Sequence, residues 1–270
     1  MTEKKRVLLV VQEVKPFTEY SEMSDIVFDT VKCLQDKGAD VRVLMPRIGL
    51  VNERRHRLHE VVRLSGMNIV VDDDDYPLII KVASLTGTKS QVYFLDNEEF
   101  FKRKEYATDA EGNFYADNTD RALFFAKSVV ETVKKFGWSP DVVHIHGWIG
   151  SFLPAYLHTQ AKHEPVFQNA KLVYSLYETG ELGHFIGNQF SGKAALNEME
   201  EALANYQTSE TDPALNSEIG AIRYCDGLIQ VSGDESLLQY GAEVLPREEM
   251  FDNLMSFYQK LSTAEVELKG

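Results

Sequence analysis

Apolar runs and polar breaks alternate along this chain with two different periods. Residues 6–12 (R-V-L-L-V-V-Q) are a nearly unbroken apolar run, the pattern of a strand buried on both faces. A loop over residues 13–22 follows. Ile26, Val27, Thr30, Val31 and Leu34 then recur at helical spacing, with Ser21 or Ser24 as the cap and Gly38 as the stop. Residues 41–45 form a second strand, ended by Pro46. This β-α-β unit predicts a parallel sheet with right-handed crossovers.

Between residues 58 and 96 the pattern changes. Residues 58–71, 78–85 and 91–95 alternate or run apolar, and the four aspartates 72–75 lie between the first two. These segments predict an antiparallel excursion off the main sheet. The aspartates read as an exposed turn, because they lack the spaced ligands and the glycine of a calcium loop. Residues 100–118 read as a polar, aromatic loop. A helix over 119–136 carries Ala122, Phe125, Ala126, Val129 and Val133 on one face, and Gly137 ends it. A strand over 142–145 is followed by a helix from about 148 to 161, and another strand covers 171–177. Residues 180–192 are glycine-rich, 193–205 predict an acidic helix and 216–224 a further one. Residues 227–231 give the final strand, and the remainder is helical, with 248–261 packing back through Phe251, Leu254, Met255, Tyr258 and Leu261. The order predicts an α/β fold: one doubly wound, Rossmann-like parallel sheet with helices on both faces and an antiparallel hairpin excursion. No Pro/Ser/Gly-rich linker divides it, so residues 1–270 are expected to form a single domain.

Composition narrows the function. The net charge is -14. That disfavours a general nucleic-acid surface, which needs basic patches to displace counterions, and an anionic membrane surface. No run approaches the roughly 18 apolar residues of a membrane span. No secretory leader is apparent, and Cys33 and Cys225 stand far apart, so the cytoplasm is the expected compartment. No Cys/His constellation suggests zinc. Gly180, Gly183, Gly187 and Gly192 have no phosphate-loop spacing. Neither a metal nor a cofactor is expected.

Candidate chemistry gathers at residues 141–157, D-V-V-H-I-H-G-W-I-G-S-F-L-P-A-Y-L. A short strand delivers His144, His146 and Trp148 to a turn, where ligands collect in open α/β sheets. His144 is expected to point away from His146, into the core. Five blocks in order carry a resemblance: R-V-L-L-V-V-Q-E-V-K-P-F at 6–17, V-R-V-L-M-P-R-I-G-L at 41–50, Y-A-D-N-T-D-R-A-L-F-F at 115–125, P-D-V-V-H-I-H-G-W at 140–148 and D-G-L-I-Q-V-S at 226–232. Together they resemble the amino-terminal, acceptor-side domain of bacterial glycogen/starch synthases. Those are GT-B glycosyltransferases that move glucose from ADP-glucose to an α-1,4-glucan in a cleft between two Rossmann-like domains. The resemblance covers nearly the whole chain and implies the GT-B amino-terminal fold, with ADP-glucose and α-glucan as ligands. The second, nucleotide-binding domain is expected to be absent, since the sequence ends where it would begin.

Departures from the family pattern are equally informative. The loop that reads K-T-G-G-L in the family reads Glu19-Tyr20-Ser21-Glu22-Met23 here. A donor-contacting cation becomes an anion, and two glycines that admit the donor are gone. H-D-W becomes His146-Gly147-Trp148, T-I-H-N becomes Ser175-Leu176-Tyr177-Glu178, and Ile219 stands where a lysine is expected. The resemblance places His146 beside the transferred glucose; a histidine merely held at a strand end is the alternative. Asp117 reads as the cap of the following helix, with the cleft as the alternative, and Trp148 as core before sugar-stacking residue. Glu19, Tyr20, Tyr177 and Glu178 are further cleft candidates. Three functions stay open: a non-catalytic module binding a glucan, a sugar nucleotide or a protein; half of a transferase completed by a partner chain; and a structural or regulatory subunit. A homodimer through the face normally covered by the second domain is one expected partner arrangement.

Overall fold

The computed structural model describes residues 4–177, 184–186, 199, 202, 204–206, 214–232, 235–240 and 243–268. The described residues form twelve strands and seven α-helices: β1 Arg6–Val11, α1 Met23–Asp36, β2 Asp40–Pro46, α2 Glu53–His56, β3 His59–Glu60, β4 Met67–Val71, β5 Asp74–Ser84, β6 Gln91–Asp96, α3 Glu98–Phe101, α4 Asn118–Phe136, β7 Val142–His146, α5 Leu153–His158, β8 Lys171–Leu176, β9 His184–Ile186, β10 Ala214–Asn216, α6 Ser217–Arg223, β11 Gly227–Gln230, β12 Val244–Pro246 and α7 Met250–Leu268. The main sheet runs β12-β11-β8-β7-β1-β2-β6-β5-β3, with β4 also paired to β5. Every pair from β12 to β6 is parallel. Strand β5 runs antiparallel to β6, and β3 and β4 antiparallel to β5. The excursion expected from sequence is therefore real but smaller, because β6 returns to the main sheet beside β2.

The two faces of β1 divide the core. Val7, Leu9 and Val11 pack under α1 and α7, while Leu8 and Val10 pack under α4 and α5. This alternation is the period of two built into a strand, and burial of both faces is why β1 reads as a continuous apolar run. Helix α1 buries Met23, Ile26, Val27, Val31 and Leu34 and ends at Gly38, whose φ of 86° suits glycine. Helix α4 ends the same way at Gly137.

Three sequence expectations need correction. The helix expected over 148–161 is two pieces, a 3₁₀ turn at Trp148–Gly150 and the six-residue α5. Pro154 has no N–H and fits only a first helical turn, so it starts a new helix. The strand at 227–231 is not the last, because β12 pairs with β11 in parallel. It is only three residues long, too short to show a period. Third, β7 puts His144 and His146 on the same face: their ring centroids are 4.0 Å apart. Residues i and i+2 of a strand share a face, so the expectation that His144 points away was wrong about direction. It was right about burial, since both are fully buried. The glycine series and the helix expected over 193–205 lie largely outside the described residues.

Candidate functional site

Strand order reverses at β1, with β2 on one side and β7 on the other. In doubly wound sheets the crevice opens at the carboxyl ends of the strands flanking such a reversal. Here those ends supply Gln12 and Glu13 after β1, His146 and Gly147 at β7, Tyr177 after β8 and Ser232 after β11.

His146 sits at the floor. Its Nδ1 hydrogen-bonds the Tyr177 hydroxyl at 2.8 Å, and its Nε2 is buried with no partner. Burial lowers its pKa to about 3, so the imidazole is neutral near pH 7. His144 lies beside it, its Nε2 2.7 Å from Ser175 Oγ and its Nδ1 2.7 Å from the Tyr258 hydroxyl of α7. Burial, and secondarily His146, depresses the His144 pKa as well. Burial first, then the charges of Glu22 and Glu13, pushes the Tyr177 pKa well up, so its hydroxyl keeps its proton.

The loop after β1 is folded back over this floor. Glu13 is fully buried, and burial raises its pKa against the pull of its hydrogen bonds. It accepts the Tyr20 N–H at 2.7 Å, the Ser21 N–H at 3.3 Å and the Ser21 hydroxyl. Glu22 reaches the far strands: it accepts the Ser232 hydroxyl and pairs with Arg247 Nη1 at 3.1 Å. Glu19 points to solvent, and Tyr20, 61% exposed, lays its ring 5.3 Å from that of Tyr106.

A second polar cluster surrounds the start of α4. Asp117 makes no cap hydrogen bond; both of its oxygens pair with Arg103, at 2.6 and 2.8 Å. A two-pronged ionic contact outweighs a single neutral cap bond, so the cap expected from sequence is not formed. Arg121 is fully buried. It donates to the Phe100 carbonyl and to Asn118 Oδ1, each at 2.8 Å, and to the Tyr106 carbonyl. Burial brings its pKa down to about 10, which leaves it charged. Trp148 is buried core, with its ring 5.9 Å from that guanidinium.

The starch synthase catalytic domain family matches residues 6–240. The chain belongs to that family. Among curated relatives, the glycogen synthase of Chlorobium luteolum is 36% identical over 179 residues, 66% of this chain and 37% of its own length. That of Chlorobaculum tepidum is 34% identical over 187 residues, 68% of this chain and 38% of its own. Among solved structures, the catalytic domain of starch synthase IV from Arabidopsis thaliana, bound to ADP and acarbose, superposes with a TM-score of 0.70 at 18% identity, covering 96% of this chain and 50% of that one. That likeness shows the fold. The chain thus spans under two fifths of the length of these curated relatives.

In this member of the starch synthase catalytic domain family, the departures have steric and electrostatic counterparts. Gly147 stands where the resemblance to the family puts an aspartate. Its φ is 91°, and a Cβ there would fall 2.7 Å from Gln12 Cβ and 2.8 Å from Gln12 Oε1. Gln12 fills the space a side chain at 147 would need. Glu22 carries the contact to Ser232 and Arg247. Of the sequence candidates, the fold brings His146 and Tyr177 together. It sets Asp117 apart with Arg103, buries Trp148, and leaves Glu19 and Tyr20 at the surface; Glu178 lies outside the described residues. Sequence reasoning passed over Gln12, Glu13, Arg103, Asn118 and Arg121. The 6–17 and 115–125 blocks contain four of the five, and a buried charge in such a block was the available signal. Among the described residues no group of three or more His, Cys, Asp or Glu could hold a metal ion.

Proposed function

We propose that this chain is a glycogen/starch-synthase-like protein that does not by itself transfer glucose and that acts as a glucan-binding module. One observation carries the first half. Glu22 reaches from the β1 loop to Ser232 and Arg247, while His146 lies fully buried and neutral at the crevice floor. A donor diphosphate at this crevice would meet the Glu22 carboxylate, already tied to Ser232 and Arg247, where the family loop offers glycine backbone, and like charges at close range repel. An α-glucan is uncharged, so neither Glu19 and Glu22 nor the net charge of -14 opposes it. Exposed rings at Tyr20 and Phe114 offer apolar faces for sugar rings.

The domain reading is one unit over residues 1–270, equivalent to the acceptor-side half of the family fold. No described helix is long and apolar enough to cross a membrane, and the free thiols Cys33 and Cys225 suit a reducing cytoplasm. Electrophoresis through a glycogen-containing gel, paired with calorimetric titration of ADP-glucose, tests the binding half. Glycogen should retard the protein, Tyr20→Ala should weaken the retardation, and ADP-glucose should give no binding heat. Tight ADP-glucose binding, or no retardation by glycogen, would refute the proposal.

A further inference from the structure

In this acidic chain, the segment after β2 is unusual. Arg54, Arg55, Arg57, His59 and Arg63 are all exposed. None of the four arginines has an ion pair among the described residues, and the adjacent Glu53 is taken by Lys81 at 2.8 Å and Arg47 at 3.4 Å. Elsewhere in the structure, cations such as Arg47, Arg103, Lys81, Lys171 and Arg247 have carboxylate partners. Guanidinium groups match carboxylates two-pronged, so an unpaired cluster of them is an electrostatic demand that this copy leaves unmet.

The hairpin that follows α2 carries the complementary charge at its far end. Strands β3 and β4 form one bulged arm against β5: His59 pairs with Val82 at the base and Val71 with Asp74 at the tip. Through the bulge, the Val61 N–H reaches the Ile80 carbonyl and the Gly66 N–H the Leu78 carbonyl. Asp73, Asp74 and Asp75 at the tip are exposed and have no ion pair among the described residues. The eight residue steps along β5 from Asp74 to Val82 hold tip and base roughly 27 Å apart. That exceeds the screening length of about 10 Å at 0.1 M salt, so the two ends cannot satisfy each other within one copy. The arm between them is the sheet edge, with Val62 78% and Val70 48% exposed. Lys127 donates to the Val70 carbonyl at 2.9 Å, which blocks part of the edge from extending the sheet into a neighbour and leaves side chains to make any contact.

We propose that this edge is a self-association surface. A second copy lies antiparallel along it about a two-fold axis, with the arginine cluster of each copy against Asp73–Asp75 of the other and Val62 and Val70 between. A two-fold contact is self-complementary: a positive base and a negative tip on one edge attract in the antiparallel arrangement and repel in the parallel one. Exposed pairs are individually weak, so the dimer forms only at high protein concentration. Its salt dependence has a maximum. Around 0.1 M salt the repulsion between two highly negative copies is screened while contact pairs survive, whereas at 1 M, with a screening length of about 3 Å, the contacts fade too.

Sedimentation equilibrium on the full chain, at high micromolar concentration and about 0.1 M salt, tests this. Two charge-reversed proteins are compared, one carrying Arg54→Glu, Arg55→Glu and Arg57→Glu, the other Asp73→Lys, Asp74→Lys and Asp75→Lys. Circular dichroism confirms that each is folded. The unaltered chain should dimerise, and each variant alone should associate about tenfold or more weakly. An equimolar mixture of the two should recover the dimer, because every base then faces an oppositely charged tip. A monomeric unaltered chain would overturn the proposal, as would a dimer that survives both reversals or a mixture that stays monomeric. Binding of an anionic polymer such as heparin by a chain that stays monomeric would also count against it, by giving the arginines another occupant.

Discussion

The crevice and the start of α4 are two polar regions of one scaffold, and they have fared differently. At the start of α4 the family-like block is kept apart from Ala122, and Asp117 is engaged with Arg103 and Arg121 with two carbonyls and Asn118. At the crevice the loop sequence has changed, and its groups now hold one another: Glu13 the loop backbone, Glu22 the far strands, Gln12 the space above Gly147. The retained motif works as a frame that ties the 100–107 loop to the start of α4. A motif that survives therefore shows that a fold needs it before it shows that a reaction does.

This contrast can be broken from either side. The largest effect expected is in the core beneath both regions. Trp148→Ala should cost about 3–5 kcal/mol by leaving a cavity in the core, read as a lower denaturation midpoint in urea with an unchanged slope. A Trp148→Ala protein as stable as its parent would show the ring to be packed loosely.

The crevice floor predicts a pH effect of similar size. His146 has a folded pKa of about 3 against an ordinary 6.5. Between these values the unfolded chain binds the proton more readily than the folded one. Stability is therefore full above pH 6.5 and falls as pH drops toward 3, on the order of 5 kcal/mol in all for this group. His146→Phe should flatten that part of the stability profile, and an unchanged profile would mean that the ring is not sealed from solvent.

Next in size is Gly147→Asp, which sets the motif aspartate back in place. Contact with Gln12 and the positive φ should together cost about 2–3 kcal/mol. Gln12→Ala should recover part of that in the double variant, as coupled neighbours do. Additive effects in thermal melts would separate the two residues. The smallest effect is Glu22→Gln. The pair with Arg247 is about half exposed, so stability should change by under about 1 kcal/mol. Amide exchange of the 19–23 loop should nonetheless quicken if Glu22 holds it down.

Much of this frame was legible in sequence. Periods of two and 3.6 mark β1, α1, β2, α4, β7 and β8 with only small errors at their ends. What escaped depends on contacts that no period encodes. Glu22 and Arg247 are 225 positions apart, and His144 meets Tyr258 across 114. Strand β12 exists because β11 offers it an edge, since three residues carry no pattern. Asp117 looked like a cap because the competing cation, Arg103, sits in a loop whose path the sequence does not give. The error over His144 was one of reasoning, since a period of two already placed it beside His146.

The most direct test of the account is glucosyl transfer from labelled ADP-glucose to glycogen by this chain, beside a full-length glycogen synthase as control. The account predicts no transfer above background, with or without Glu22→Gln. Transfer well above background, lost in His146→Ala, would contradict it and make the sealed histidine a working one.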